Sequence, residues 1–328
     1  MLLKKIASCQ VNLSTWNRVT FGHVKNTLAK KLKELSHAEE VGSYRTNLNQ
    51  IEMLRSEINL LQVREEAMWK QRSHSDWLKE GDHNTRYFHC RANQRNKKNF
   101  IVGLEDEFGV WTEDEDQMGR LASTYFDTMF TTSNPTGFDE ILNGLVPTVT
   151  EEMNNSLKKP YTAEEVLKAL HHMAPLIAPG PDGMSPNFYK SFWHIVGIDV
   201  TEVVLTALNF GTIPDSINST FIALIPKIKD PKKVSDFRPI SLCNVVYKLI
   251  AKVLVNRLKL ILPYVVSDSQ SAFLSGRMIT DNVLVAFETL HFLKRKTQGK
   301  DGYMALKLDM SKAYDRVEWD FLERTMLH

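Results

Sequence analysis

Leu306-Lys-Leu-Asp-Met-Ser-Lys-Ala-Tyr-Asp-Arg-Val-Glu-Trp319 overlaps a short apolar run, Tyr303-Met-Ala-Leu-Lys-Leu308, that reads as a β-strand ending at Asp309. Ser311 to Val317 then turns toward a helix expected to begin near Trp319. A carboxylate at the carboxyl end of a strand can hold a hard cation such as magnesium through its oxygens, while phosphates complete the shell. One aspartate defines no chemistry by itself, so the meaning of Asp309 depends on its neighbours in the chain.

Upstream, Thr220-Phe-Ile-Ala-Leu-Ile225 reads as a buried strand closed by Pro226, and Asp236-Phe-Arg-Pro-Ile240 as an extended return. Together they predict a hairpin tipped with Lys227, Lys229, Lys232 and Lys233. Earlier still, Ala178-Pro-Gly-Pro-Asp-Gly183 fixes torsions with proline and permits positive φ with glycine, the mark of a tight structural or binding loop. Ser185 follows as a helix cap with Pro186 in the first turn. Thr162 and Glu165 make a capping box, and Val166, Leu170 and Met173 share one face, which predicts a helix from about Ala163 to His172. The turn-rich segment Phe130 to Pro147, with Ser133-Asn134-Pro135-Thr136-Gly137 inside it, reads as a domain boundary.

From about Val19 to Leu61 apolar residues recur at helical spacing: Val24, Leu28, Leu32 and Leu35, then Ile51, Leu54, Ile58 and Leu61 after a break near Gly42. Two long amphipathic helices are expected. The second set alternates like a coiled coil but is too short for one, so a helical hairpin is the simpler packing. Arg86, Arg91, Arg95, Lys97 and Lys98 form a basic segment, 86–98, with no acidic residue among them and with Tyr87 and Phe88 beside them. Basic side chains gain by neutralising phosphates, and aromatic faces stack on bases. The competing reading is a solvated helical face, and acidic residues return between Glu105 and Asp116.

The 328 residues are 43% hydrophobic and 24% charged, enough for two domains and a folded core. A formal net charge of +2 leaves any affinity for polyanions to local clusters. Cys9, Cys90 and Cys243 are far apart and odd in number, which fits neither a disulfide framework nor paired zinc thiolates and points to a reducing compartment. His83, His89 and Cys90 lie close in sequence, but no second thiolate pair sits nearby to complete a zinc site. At the amino end, Ser8, Gln10 and Asn12 interrupt the apolar stretch too soon for a signal peptide. No run approaches the roughly 18 apolar residues of a membrane span.

Taken with these neighbours, the Leu306–Trp319 string resembles, almost letter for letter, the first palm motif of plant-type non-LTR (LINE-type) retrotransposon reverse transcriptases. The resemblance runs backwards through Ile225-Pro-Lys227, Asp236-Phe-Arg-Pro-Ile-Ser-Leu242, Tyr247-Lys-Leu-Ile-Ala-Lys252, Asn256-Arg-Leu258, Gln270-Ser-Ala-Phe-Leu-Ser-Gly-Arg277 and Asp281-Asn282, in the order and spacing of the family's fingers. Ala178–Gly183 is similar to the extension before those fingers, and Trp77-Leu-Lys-Glu-Gly-Asp-His-Asn-Thr-Arg-Tyr-Phe-His89 to the linker behind the family's endonuclease. Ile177 and His74 depart from the pattern, standing where the family usually has lysine and arginine.

The resemblance implies an α+β fold: long N-terminal helices, then partial reverse-transcriptase fingers and the start of the palm. It divides the chain into a helical linker region (1–133), a helical N-terminal extension of the polymerase (134–215) and a partial reverse transcriptase domain (216–328). It implies Asp309 as a catalytic ligand of Mg2+, with the Met310 carbonyl open to the same ion, and Tyr314 under the incoming sugar. Lys227 and Arg238 would meet the triphosphate, as a compact ammonium and a forked guanidinium suit. Arg277 would touch template backbone, with Arg86, Arg91, Arg95, Lys97 and Lys98 also on nucleic acid; an ordinary surface arginine is the competing reading of Arg277. Asp315 is expected as a helix-start cap. Implied partners are an RNA template, a DNA primer and dNTPs, in the nucleus and away from membranes.

Phosphoryl transfer through two magnesium ions needs more than one carboxylate. The family carries the others in a Tyr/Phe-x-Asp-Asp string after the first palm motif, and no such string precedes His328. The expectation is therefore a fragment of an RNA-directed DNA polymerase that is inactive alone. The alternative is a non-catalytic nucleic-acid-binding relic that keeps the basic linker and fingers; a third reading has an exposed apolar palm face and an unstable product.

Overall fold

The computed structural model describes residues 2–20, 22–41, 48–73, 85–299, 302–310 and 312–328. The first helix, α1 (Leu2–Thr20), was not foreseen, although Leu2, Ile6, Cys9, Leu13 and Trp16 recur at steps of four and three. It lays Leu2 and Ile6 into the main core, and Lys5 reaches Asp199 at 2.5 Å. The expected helical hairpin follows as α2 (Val24–Val41) and α3 (Leu48–Ser73), the latter longer than predicted. Ala38, Leu54 and Ile58 are buried in it, and Lys31–Glu57 (2.8 Å) and Arg55–Glu39 (2.9 Å) bridge the pair. The break at Gly42, the departure at His74, the candidate ligand His83 and most of the Trp77–His89 motif lie outside the described residues.

The basic segment forms α4 (Thr85–Asn99). Two short antiparallel strands, β1 (Leu104–Glu105) and β2 (Trp111–Thr112), lead into α5 (Glu115–Phe130). Here the acidic run has a local task. The Asp114 carboxylate accepts from the Gln117 N–H at 2.9 Å, and Glu115 and Asp116 sit in the first turn, where negative charge opposes the helix dipole. Leu104 and Phe126 then pack with Val234 and Phe237 in a small second core. That packing crosses the division at 133/134.

After α6 (Phe138–Leu142) and α7 (Glu151–Leu157), the predicted capping box opens α8 (Ala163–His171), with the Thr162 and Glu165 contacts both present. Ser185 occupies the cap position of α9 (Pro186–Ser191), but its side chain makes no capping bond. The main core is formed by α8, α10 (Trp193–Phe210) and α12 (Val245–Leu258), which bring Val166, Leu170, Val200, Val204, Leu249 and Val253 together. Among the described residues α10 is the one helix long and apolar enough to cross a membrane, and its Val200 and Val204 are spent on this core.

Between the two cores, α11 (Asp215–Asn218) leads to the predicted hairpin. Strands β3 (Thr220–Pro226) and β4 (Phe237–Cys243) pair antiparallel from Thr220↔Cys243 to Pro226↔Phe237, with the lysines in the connecting loop, but β3 is not the buried strand expected, since Phe221 and Ile222 stand exposed.

The Pro-Gly-Pro-Asp-Gly turn docks on the start of α12. The Asn244 side chain accepts from the Asp182 N–H (3.1 Å) and donates to the Ser216 carbonyl (3.1 Å), while Lys248 Nζ donates to the Ala178 carbonyl (2.9 Å). Burial pushes the Asp182 carboxyl above its usual range, against the pull of bonds from the Met184 N–H and the Tyr189 hydroxyl.

Beyond α13 (Leu262–Val265) and α14 (Ile279–Arg295), which buries none of its residues, the predicted strand at 303–308 is not formed. Residues 302–310 run without regular structure, and Leu306 and Leu308 are 71% and 83% exposed. A strand exists through its ladder, and no neighbouring strand flanks this segment among the described residues. A 3-10 turn (Ala313–Arg316) and α15 (Trp319–Leu327) close the chain as predicted in place, but Asp315 lies inside the turn. The cap position of α15 belongs to Glu318, so Asp315 is not the cap.

Candidate nucleotide and nucleic-acid site

Asp309 sits exposed on the unpaired 302–310 segment. Among the described residues no group of three or more His, Cys, Asp or Glu stands together around it or elsewhere. Magnesium demands near-octahedral oxygen coordination, so one carboxylate and one backbone carbonyl do not by themselves hold the ion.

Tyr314 is exposed and meets Phe273 edge-on, with ring centroids 6.0 Å apart at 84°. It lines an open cleft of about 1530 Å³ between α5, the β3–β4 loop and the segment from Lys312 to Trp319. Lys312, at a left-handed φ of 55°, places its ammonium 4.1 Å from the Tyr125 ring centroid, and burial lowers its pKa. Glu318 accepts from the Thr132 hydroxyl (2.7 Å) and the Ser133 N–H (3.3 Å), which hold its carboxyl below the usual range. These contacts tie α15 to the segment before α6.

Lys227 and Arg238 occupy the same face of the hairpin, because Arg238 pairs with Ile225 and alternate residues of a strand share a side. Arg238 is exposed, whereas Lys227 Nζ donates to the Ser235 carbonyl at 3.0 Å. Asp236 accepts the N–H groups of Lys232 (3.0 Å) and Lys233 (2.9 Å), which lowers its pKa and ties the loop. Lys227 lines a second concavity, apart from the Tyr314 cleft, and Asp309 and Arg238 line neither.

Strand β4 and the Asp309 string fall within a longer match. Residues 228–328 match the family described as reverse transcriptase (RNA-dependent DNA polymerase). Over 257 residues, 78% of this chain and 19% of the relative, the sequence is 32% identical to the Transposon TX1 uncharacterized 149 kDa protein of Xenopus laevis. It is 28% identical over 168 residues, 51% of this chain and 15% of the relative, to the Retrovirus-related Pol polyprotein from type-2 retrotransposable element R2DM of Drosophila melanogaster.

The chain carries a reverse transcriptase domain of the non-LTR retrotransposon type.

It spans about a fifth or less of the length of these relatives, which come from a frog and a fly and do not test the plant-type likeness. Reverse transcriptases use divalent metal ions and take template, primer and nucleotide substrates. Of the side chains assigned to nucleic acid, Arg86, Arg91, Arg95, Lys97 and Lys98 all stand exposed on α4, with Arg91, Arg95 and Lys98 on one side of the helix. Their aromatic neighbours serve packing. Phe88 is buried, Tyr87 is half-buried beside Arg91, and the His89 ring lies tilted against Trp69 with centroids 3.7 Å apart.

Arg277 folds back on its own loop. Its guanidinium donates to the Ser267 (2.5 Å) and Gln270 (2.8 Å) carbonyls and meets Asp268 at 3.2 Å. The neighbouring Ser271 hydroxyl bonds Asn282 at 2.8 Å, joining two strings that carry the family resemblance. Arg277→Ala is expected to raise amide exchange across residues 266–278 while leaving oligonucleotide affinity unchanged. Weaker binding with unaltered exchange would instead put this guanidinium on the template.

Arg257, in the Asn256-Arg-Leu258 string, has a structural role that the sequence does not signal. Arg257 makes a two-pronged pair with Glu165 (2.7 and 2.8 Å) and donates to the carbonyls of Leu157, Lys159 and Pro160. Its guanidinium carbon lies 3.6 Å from the Tyr161 ring centroid. No periodicity marks such a contact; only the fold discloses it.

Proposed function

We propose that this chain supplies the fingers and the first metal-binding carboxylate of an RNA-directed DNA polymerase that copies retrotransposon RNA in the nucleus. The observation that carries the reading is the Leu306–Trp319 string within the matched residues 228–328. In this reading Asp309 gives one oxygen ligand to magnesium, Tyr314 stands under the incoming sugar, and Lys227 and Arg238 face the triphosphate from one side of the hairpin. The three exposed side chains Asp309, Tyr314 and Arg238 are open to such partners. The linker region 1–133, the extension 134–215 and the domain 216–328 are the corresponding parts.

Because a lone carboxylate does not assemble a two-ion centre, these 328 residues are expected not to extend a primer on an RNA template with magnesium. Template-directed incorporation of nucleotides by the purified chain would overturn that statement. The alternative, a non-catalytic nucleic-acid binder, is favoured by the exposed lysines and arginines of α4. It predicts salt-sensitive binding that survives Asp309→Ala.

A further inference from the structure

The concavity that holds Lys227 is a groove of about 650 Å³ between the end of α4, the segment from Phe100 to Gly103, and the β3–β4 loop. Lys97 and Lys98 enter it from one side, and Lys227, Lys229 and Lys232 from the other. The two sets are far apart in sequence and are joined by the bond from the Glu105 N–H to the Lys232 carbonyl (2.8 Å) and by the small core beneath. Asp230 is the single acidic residue of the lining. Of the acids nearby, Asp236 is committed to two backbone N–H groups and Glu105 faces Lys233 at 3.9 Å. Lys97, Lys98, Lys229 and Lys232 form no ion pair among the described residues.

The groove also carries a fixed aromatic face. A β-carbon on Gly103 would fall 2.5 Å from the Trp111 indole, so glycine is what lets the ring lie flat against the backbone. The indole N–H donates to Glu113 at 3.1 Å. Held on one face and one edge, the ring is still 44% exposed, and Phe100 beside it is 68% exposed.

We propose that this groove binds a single-stranded nucleic acid, its phosphates on the lysines and one base stacked on Trp111. Ammonium groups gain by replacing the counterions of phosphates, and a flat aromatic face gains by covering a base. A duplex offers the phosphates but hides its base faces in its own stack, so it would leave the indole without a partner. The groove thus differs from the basic segment read in the sequence: it takes only Lys97 and Lys98 from α4 and finds its aromatic groups elsewhere. The choice of nucleic acid as ligand rests on the polymerase reading above; the place and strand state do not.

The test is fluorescence anisotropy of the full chain with a labelled single strand of about 12 nucleotides, and with the matching duplex, across a salt series. Wild type is expected to prefer the single strand. The combined change of Lys97, Lys98, Lys229 and Lys232 to glutamine is expected to flatten the log–log salt slope by about 3, four phosphate contacts at roughly 0.7 each. Trp111→Leu is expected to weaken binding about tenfold, and Trp111→Phe to recover most of it while guarding against a folding defect. Equal affinity for the duplex, or groove variants that bind as wild type does, would overturn the groove and leave the polymerase reading standing. Failure of wild type to bind either strand would sink both.

Discussion

Arg257→Ala is expected to destabilise the chain by about 3 kcal/mol, a lowering of the melting temperature by roughly 6–12 °C. The side chain is 11% exposed and Glu165 31%, so water screens their pair only in part. Removing the guanidinium strands a half-buried carboxylate and takes the donors from three backbone carbonyls that lead into α8. Arg257→Lys keeps the charge but loses the fork, and is expected to recover less than half of the loss. The partner gives a pH signature. The Arg257 guanidinium, ahead of any other cause, holds the Glu165 carboxyl below its usual range. Its stabilisation is therefore complete above the unfolded value, about 4.3, and fades as pH falls through the depressed folded value. Wild type and Arg257→Ala should converge in stability in strong acid; thermal melts that coincide at neutral pH would refute the staple.

Gly180→Ala is expected to cost about 2–3 kcal/mol, near the top of the range for overpacking. A β-carbon there would lie 2.5 Å from the Asn244 nitrogen and from the Cys243 carbonyl carbon. Both are backbone atoms at the start of α12, where no rotamer change can relieve the clash. Gly183 makes the useful comparison. Its φ of +68° penalises a side chain by roughly 1–2 kcal/mol, but its nearest obstacle is the flexible end of Gln10 at 3.0 Å. Denaturant midpoints should thus rank wild type, Gly183→Ala, Gly180→Ala in falling order. A reversed order would mean that turn torsion, rather than its seat on α12, is what the proline-glycine string protects.

The elements legible in the sequence were those whose signal is local. The β3–β4 hairpin announces itself by an unbroken apolar run ended at Pro226, and α8 by Thr162 and Glu165 three residues apart. Misreadings came where a local signal needed a distant partner. Tyr303 to Leu308 has strand composition, but composition supplies no neighbouring ladder. The acids from Asp114 to Asp116 read as charge balance, whereas they start α5. Of the site, the resemblance named Asp309, Tyr314, Lys227 and Arg238, and the fold adds where each stands. The meeting of Lys97 with Lys229 across a groove floored by Gly103 and Trp111 depends on long-range packing, for which a single sequence has no periodicity to offer.

The placement of α1 bears on the order of events during synthesis. Leu2 and Ile6 settle among residues that extend to Val253, so the apolar face of α1 has no seat until α12 has been translated. At 5–20 residues per second that interval is roughly 10–50 s. Over that time α1 is a substrate for chaperones, and a ribosome stalled short of α12 would release a chain whose α1 has nowhere to dock.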